Sequence, residues 1–162
     1  MDEIMVHTCM LLDGSEMNLP AERKKWGMKT KFRALQRDFT ELSSGKKVIE
    51  YEEVVAGSNT MTFEEYINLR ILAFIIFVTN MGVVFDAIQK FLREQDVDVF
   101  ELYYRMFTNK KNSPGKTQKV IEQFKQTTID ELWDSPQELL ENFQKDSEYK
   151  KLLDGEAGTN VI

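Results

Sequence analysis

The side chains with the widest chemical reach crowd into one short stretch. Arg23, Lys24, Lys25, Lys29, Lys31, Arg33 and Arg37 fall within fifteen positions, interleaved with Trp26, Met28 and Phe32. The chain carries a net charge of −6, so this local excess of cations stands out. It could hold a phosphate or carboxylate, with Lys29, Lys31, Arg33 and Arg37 as the binding set and either arginine offering a bidentate fork. A solvated surface with its aromatics packed beneath accounts for the same residues. Upstream, the Asp13-Gly14-Ser15-Glu16 turn could offer backbone amides to an anion or cofactor. It lacks a phosphate-loop lysine and equally suits a plain turn.

Little else in the chain can run a reaction. His7 and Cys9 are the only histidine and cysteine. Alternation puts both on one face of a strand, but a zinc site needs about four ligands, and neighbouring strand positions splay their side chains. Cys9 therefore suits burial as a small hydrophobe. The carboxylate pairs Glu52-Glu53, Glu64-Glu65 and Asp130-Glu131 fall at helix starts or on solvated faces. No catalytic and no metal-binding residue is assigned.

A single cysteine makes no internal disulfide, which points to a reducing, cytoplasmic compartment. The acidic balance disfavours nucleic acid as a partner. The longest apolar run, Ile71 to Val78, is far short of the roughly 20 residues that span a bilayer, so a core helix is expected and no membrane contact. Met1-Asp2-Glu3 carries none of the features of a signal peptide.

The elements that would position these residues can be read from periodicity. Ile4 to Leu12 is an apolar run ended by Asp13-Gly14-Ser15, giving a buried strand over Glu3–Leu12. Pro20 to Trp26 predicts a short helix with proline first and Gly27 after it. Lys31–Leu35 and Lys47–Val55 alternate around Ser43-Ser44-Gly45 and predict a hairpin. Thr62 with Glu65 makes a capping box, and Asp98 with Glu101 and Ser135 with Glu138 repeat it. Helices are expected over Thr62–Thr79, Gly82–Gln95, Asp98–Thr108, Gly115–Trp133 and Pro136–Lys145. The fold class is thus α+β, mainly α: a strand plus hairpin, then a bundle of about five helices. Residues 1–57 would complete a larger core and 58–162 form a helical accessory domain. Both ends read as interrupted, because a lone strand leaves unpaired edges.

One ordered set of residues resembles a known family. Met10-Leu11-Leu12-Asp13-Gly14-Ser15-Glu16, Pro20, Arg23 through Leu35, Arg37-Asp38-Phe39, Ile49 through Val55, Thr62 through Tyr66 and Arg70 resemble the C-terminal region of cobalamin-binding-domain radical SAM proteins. The resemblance covers nearly the whole chain, but only the part that follows the radical SAM core. It implies a parent with a cobalamin domain and a partial barrel, whose Cys-x-x-x-Cys-x-x-Cys motif holds a 4Fe-4S cluster that cleaves S-adenosylmethionine. It also implies that the first strand closes the barrel, that Asp13 to Glu16 lie near the cofactor rim and that the basic segment faces substrate. With one cysteine, no cluster ligand carries over and no cofactor is expected in this chain itself.

The expected role is therefore an accessory, substrate-access domain of a cobalamin-dependent radical SAM enzyme, inactive alone, with the radical SAM core and cobalamin domain as partners. Two other roles stay open: a free-standing helical protein-interaction module, and a small anion-binding transferase built on the basic segment.

Overall fold

The residues alternating around Ser43-Ser44-Gly45 form the expected antiparallel hairpin. In the computed structural model, which describes residues 6–80, 84–109, 112 and 114–158, β1 runs Lys29–Glu41 and β2 runs Lys47–Gly57. Gly45, at φ 78°, lets the turn close, with its N–H donating to Leu42 O at 2.8 Å and Leu42 N–H donating to Lys46 O at 2.9 Å. β1 is longer than the alternation suggests because it continues through a bulge. Ala34 pairs with Tyr51 and Phe39 with Ile49, so Leu35 to Asp38 stand opposite Glu50 alone. Arg37 takes up this excess in the left-handed region at φ 68°.

The buried strand expected over Glu3–Leu12 is corrected by the structure. Residues 3–5 lie outside the described residues, and residues 9–11 run beside β2 with one bridge, Met10 to Val54. Leu11 N–H donates to Glu53 O and Val55 N–H to Cys9 O, each at 2.9 Å. Leu11 is buried, whereas Val6, Cys9, Met10 and Leu12 are exposed. The reason is geometric: a run apolar on both faces fills a sheet covered on both faces, and here it lies along a two-stranded one. Cys9 is accordingly not the buried hydrophobe its composition suggests.

A short 3₁₀ turn, Glu16–Asn18, leads into α1, Pro20–Trp26, with proline at its start. Gly27 ends it at φ 57°, and a Cβ there would lie 2.0 Å from Asn59 Oδ1. The remaining helices are α2 (Phe63–Asn80), α3 (Asp86–Glu94), α4 (Val99–Thr108), α5 (Gly115–Asp130), α6 (Pro136–Gln144) and α7 (Asp146–Leu153). The expected starts hold at three of them. Thr62 and Glu65 cap reciprocally, with Glu65 N–H donating to Thr62 Oγ1 at 3.2 Å and Thr62 N–H to Glu65 Oε2 at 2.7 Å. Asp98 accepts from Phe100 N–H and Ser135 from Glu138 N–H. α5 ends before Trp133, whose backbone is taken by β1. α7 is an additional helix, and the start expected at Gly82 for the second long helix lies outside the described residues.

Contacts divide the chain into two compact units, one of residues 8–66 with 127–158 and one chiefly of residues 67–126. In the first, α6 packs on both strands and on α7. Ala34 and Ile49 of the hairpin meet Leu139 and Phe143 of α6 and Tyr149 and Leu152 of α7 in one core, with Phe32, Phe39 and Trp133 at its edge. Trp133 is pinned to the outer edge of β1 by Phe32 N–H to Trp133 O (2.9 Å) and Trp133 N–H to Phe32 O (2.8 Å). In the second unit, α2 buries Ile71, Ala73, Ile75 and Ile76, and Phe74 stacks on Phe124 of α5 at 4.2 Å between ring centroids. Among the described residues no helix is long and apolar enough to cross a membrane.

Gly27→Ala should cost about 1–2 kcal/mol for its left-handed backbone, plus a steric part from Asn59. A double-mutant cycle with Asn59→Ala in urea should recover the steric part only. A Gly27→Ala chain as stable as wild type would show that the close approach is absent.

Candidate functional site

Adjacent residues of a strand point to opposite faces, so Glu52 and Glu53 cannot share a partner. Each takes a different arginine from the basic segment. Glu53 receives the fork of Arg23, Nη1 to Oε1 at 2.8 Å with Nη2 on Oε2, and the hydroxyl of Thr30 at 2.6 Å. Glu52 pairs with Arg33 Nε. In that second pair Arg33 is buried and Glu52 is mostly covered, at 8% and 11% side-chain exposure. The hydrogen bonds from Arg23 hold the Glu53 carboxyl below the usual carboxylate range, against the opposing effect of its partial burial.

The Arg23 pair also ties down the upstream turn. Arg23 Nε donates to Asn18 Oδ1 at 2.8 Å. Asn18 Nδ2 donates in turn to Leu12 O at 3.2 Å and to Asp13 Oδ1 at 3.4 Å. Gly14 sits at φ 78°, and Ser15 Oγ donates to Leu12 O at 2.7 Å. Asp13, Gly14, Ser15 and Glu16 thus form a turn cross-braced to β2 through Asn18 and Arg23. Their sequence gave the turn; Asn18 carries no motif that would have singled it out.

The cations expected to act together have separate destinations. Lys31 pairs with Asp134 at 2.5 Å and lies over the Phe63 ring at 5.5 Å from its centroid. Arg33 is held by Glu52. Lys29 and Arg37 are exposed, at the start of β1 and in its bulge. Lys25 turns back to Glu22 and lies over Trp26. An anion at Arg33 would have to displace a buried carboxylate, which leaves Lys29 and Arg37 as the accessible members of the set.

Sequence reasoning passed over Lys47. Its side chain is 4% exposed, and Nζ donates to Gln144 O at 2.8 Å, pairs with Asp146 and lies 5.2 Å from the Tyr149 ring centroid. The Gln144 amide completes the link, donating from Nε2 to Lys47 O at 2.8 Å and accepting from Lys47 N–H at 3.2 Å. Hydrogen bonding from Lys47 lowers the Asp146 pKa. A cleft of about 250 Å³ in the same unit is lined by Ala34, Trp133 and Phe143 together with Asp130, Glu131, Glu156 and Lys151.

His7 and Cys9 are exposed, with Cys9 Sγ 3.5 Å from Met17 Sδ. Among the described residues, no three of His, Cys, Asp and Glu are placed to share a metal ion. A four-iron cluster needs three or four thiolates, and the chain has one cysteine, so its residues do not fit that group. No protein-family model matches the sequence, and no curated protein matches it.

Two outcomes follow. Arg33→Met, which strands Glu52 in a buried position, should cost about 3–5 kcal/mol, whereas Arg37→Met should stay within about 0.5 kcal/mol; equal losses in chemical denaturation would contradict the assigned partners. Because the folded pKa of Glu53 lies below its unfolded value, its contribution is present above the unfolded carboxylate pKa and is lost as pH falls through the folded one. Glu53→Gln should therefore flatten the acid limb of the stability–pH curve, and an unchanged limb would show that the pair does not titrate with folding.

Proposed function

We propose that this chain is a C-terminal accessory domain of a cobalamin-dependent radical SAM enzyme, one that shapes substrate access and does not catalyse alone. The observation that carries this reading is the segment along the outer edge of β2. It is bound there through Cys9, Met10 and Leu11, and Met10, Leu12, Met17, Leu19 and Trp26 stand exposed along it and into α1. Large apolar side chains gathered in one segment mark a surface that another body covers. In this reading the radical SAM core is that body, the cobalamin domain belongs to the same parent, and the Asp13–Glu16 turn faces the cofactor rim. The cluster, S-adenosylmethionine and cobalamin are held by residues outside this chain. Its single cysteine also fits a reducing, cytoplasmic setting.

A second reading, a helical interaction module, draws support from the exposed apolar residues of α3 and α4. The two readings predict different partners. Titration calorimetry of this chain into a radical SAM core bearing the three-cysteine motif and lacking the corresponding region should give one-to-one binding. Leu12→Asp should weaken it at least about tenfold. No heat of binding, or binding indifferent to Leu12→Asp, would overturn the accessory-domain reading.

A further inference from the structure

Leu12 presents more of its side chain than any other large apolar residue between Thr8 and Gly27, at 63% against 46% to 53% for Met10, Met17, Leu19 and Trp26. Its backbone is fixed on both sides. Leu11 N–H donates to Glu53 O at 2.9 Å. The Leu12 carbonyl accepts from Ser15 N–H at 3.1 Å, Ser15 Oγ at 2.7 Å and Asn18 Nδ2 at 3.2 Å. A carbonyl oxygen has two lone pairs, so three donors occupy this one fully and hold its peptide plane. With Leu11 buried, alternation turns the Leu12 side chain outward.

Of the residues that serve this carbonyl, Asn18 is the one tied to the sheet. Its Oδ1 accepts from Arg23 Nε at 2.8 Å while its Nδ2 serves Leu12 O and, at 3.4 Å, Asp13 Oδ1. Arg23 in turn forks onto the Glu53 carboxylate of β2, and Glu53 O receives Leu11 N–H. The bonds close a ring, from Leu12 through Asn18, Arg23 and Glu53 back to Leu11. Position 18 needs a group that accepts on one side and donates on the other, and a carboxamide does both. Aspartate there would keep the bond from Arg23, lose both donated bonds and set a second carboxylate against Asp13. Asn18 is half-buried, whereas Asp13, Gly14, Glu16 and Met17 are exposed, so it braces the turn from behind.

An exposed side chain on a fixed backbone is preorganised for contact. A loop already held in its bound shape escapes the ordering cost that association otherwise meets. Fixing the backbone of a single residue on binding weakens affinity about tenfold, so releasing Leu12 from its brace carries a measurable penalty.

We infer that Asn18 is a positioning residue for docking: it holds the Leu12 backbone so that this side chain meets the partner already in place. The inference rests on the accessory-domain reading, with the radical SAM core as that partner. In the full chain alone, Asn18→Asp should speed hydrogen exchange at the Ser15 amide at least about tenfold and leave exchange in the hairpin as it is. In titration calorimetry against a radical SAM core bearing the three-cysteine motif, the same variant should weaken docking about tenfold. Because Asn18 acts through Leu12, that loss should vanish on a Leu12→Ala background, whereas a residue needed only for folding would weaken both backgrounds alike. Ser15→Ala removes one donor from Leu12 O and leaves Arg23 in place. It should weaken docking about threefold and serves as the deciding variant if Asn18→Asp does not fold. Absence of heat with the wild-type chain removes the accessory-domain reading and this inference together. Docking at wild-type strength in both variants, an equal loss on the two Leu12 backgrounds, or unchanged Ser15 exchange in Asn18→Asp overturns the inference alone.

Discussion

Lys47 carries a buried charge at the point where the hairpin meets the helices that cover it. Its ammonium group reaches the last carbonyl of α6 and the first carboxylate of α7, while its own amide and carbonyl are matched by the Gln144 side chain. A buried cation is tolerable only when its partners are complete, and these come from both sides of the break at Lys145. A two-stranded sheet is marginal in water unless something packs on its face. By fixing where α6 stops and α7 starts, the clamp sets Leu139, Phe143, Tyr149 and Leu152 over Ala34 and Ile49. The cation also sits where the carbonyl end of one helix dipole and the amide end of the next favour a positive charge paired with an acid.

The basic segment obeys the same logic on the other strand. Glu52 and Glu53 point to opposite faces of β2, so a pair of carboxylates that looks redundant in sequence holds two arginines in different places. One of them, Arg23, carries the brace through Asn18 to the turn at Asp13–Glu16. Much of the chain's local positive charge is thereby consumed in holding the hairpin, α1 and the turn in one piece. This is why the segment serves better as a scaffold for a surface than as an anion receptor, and why the functional reading shifts from chemistry to positioning.

Features legible in the sequence were those set by local rules. The hairpin followed from alternation around Ser-Ser-Gly, α1 from its leading proline and trailing Gly27, and three helix starts from their capping residues. The core helix α2 was plain from its apolar run. What escaped depended on partners distant in the chain. Nothing around Lys47 predicts that a strand lysine will be buried, since Gln144 and Asp146 lie almost a hundred residues on. Trp133 left helix α5 because its backbone pairs with Phe32, an interaction no periodicity records. α7 was passed over although Asp146 and Glu148 mark its start, because the apolar positions of a two-turn helix are too few to show a period. The Glu3–Leu12 run was over-read for the opposite reason: apolar residues on both faces imply burial on both faces, and the described part of this segment has cover on one.

Hydrogen bonds to neighbouring elements also decide which large apolar side chains stay exposed, as the N-terminal segment and α3 show. In the N-terminal segment, main-chain bonds at Cys9 and Leu11 and the brace through Asn18 and Arg23 fix the backbone, so Met10 and Leu12 are held facing outward. In α3, Gln89 is buried with Leu92 half-buried one turn on, and Gln89 donates to Thr79 O in the last turn of α2, so covering Ile88 and Phe91 from within would require giving up that bond. The two exposed regions thus share a cause: in each, hydrogen bonds to a neighbouring element fix which side chains face outward.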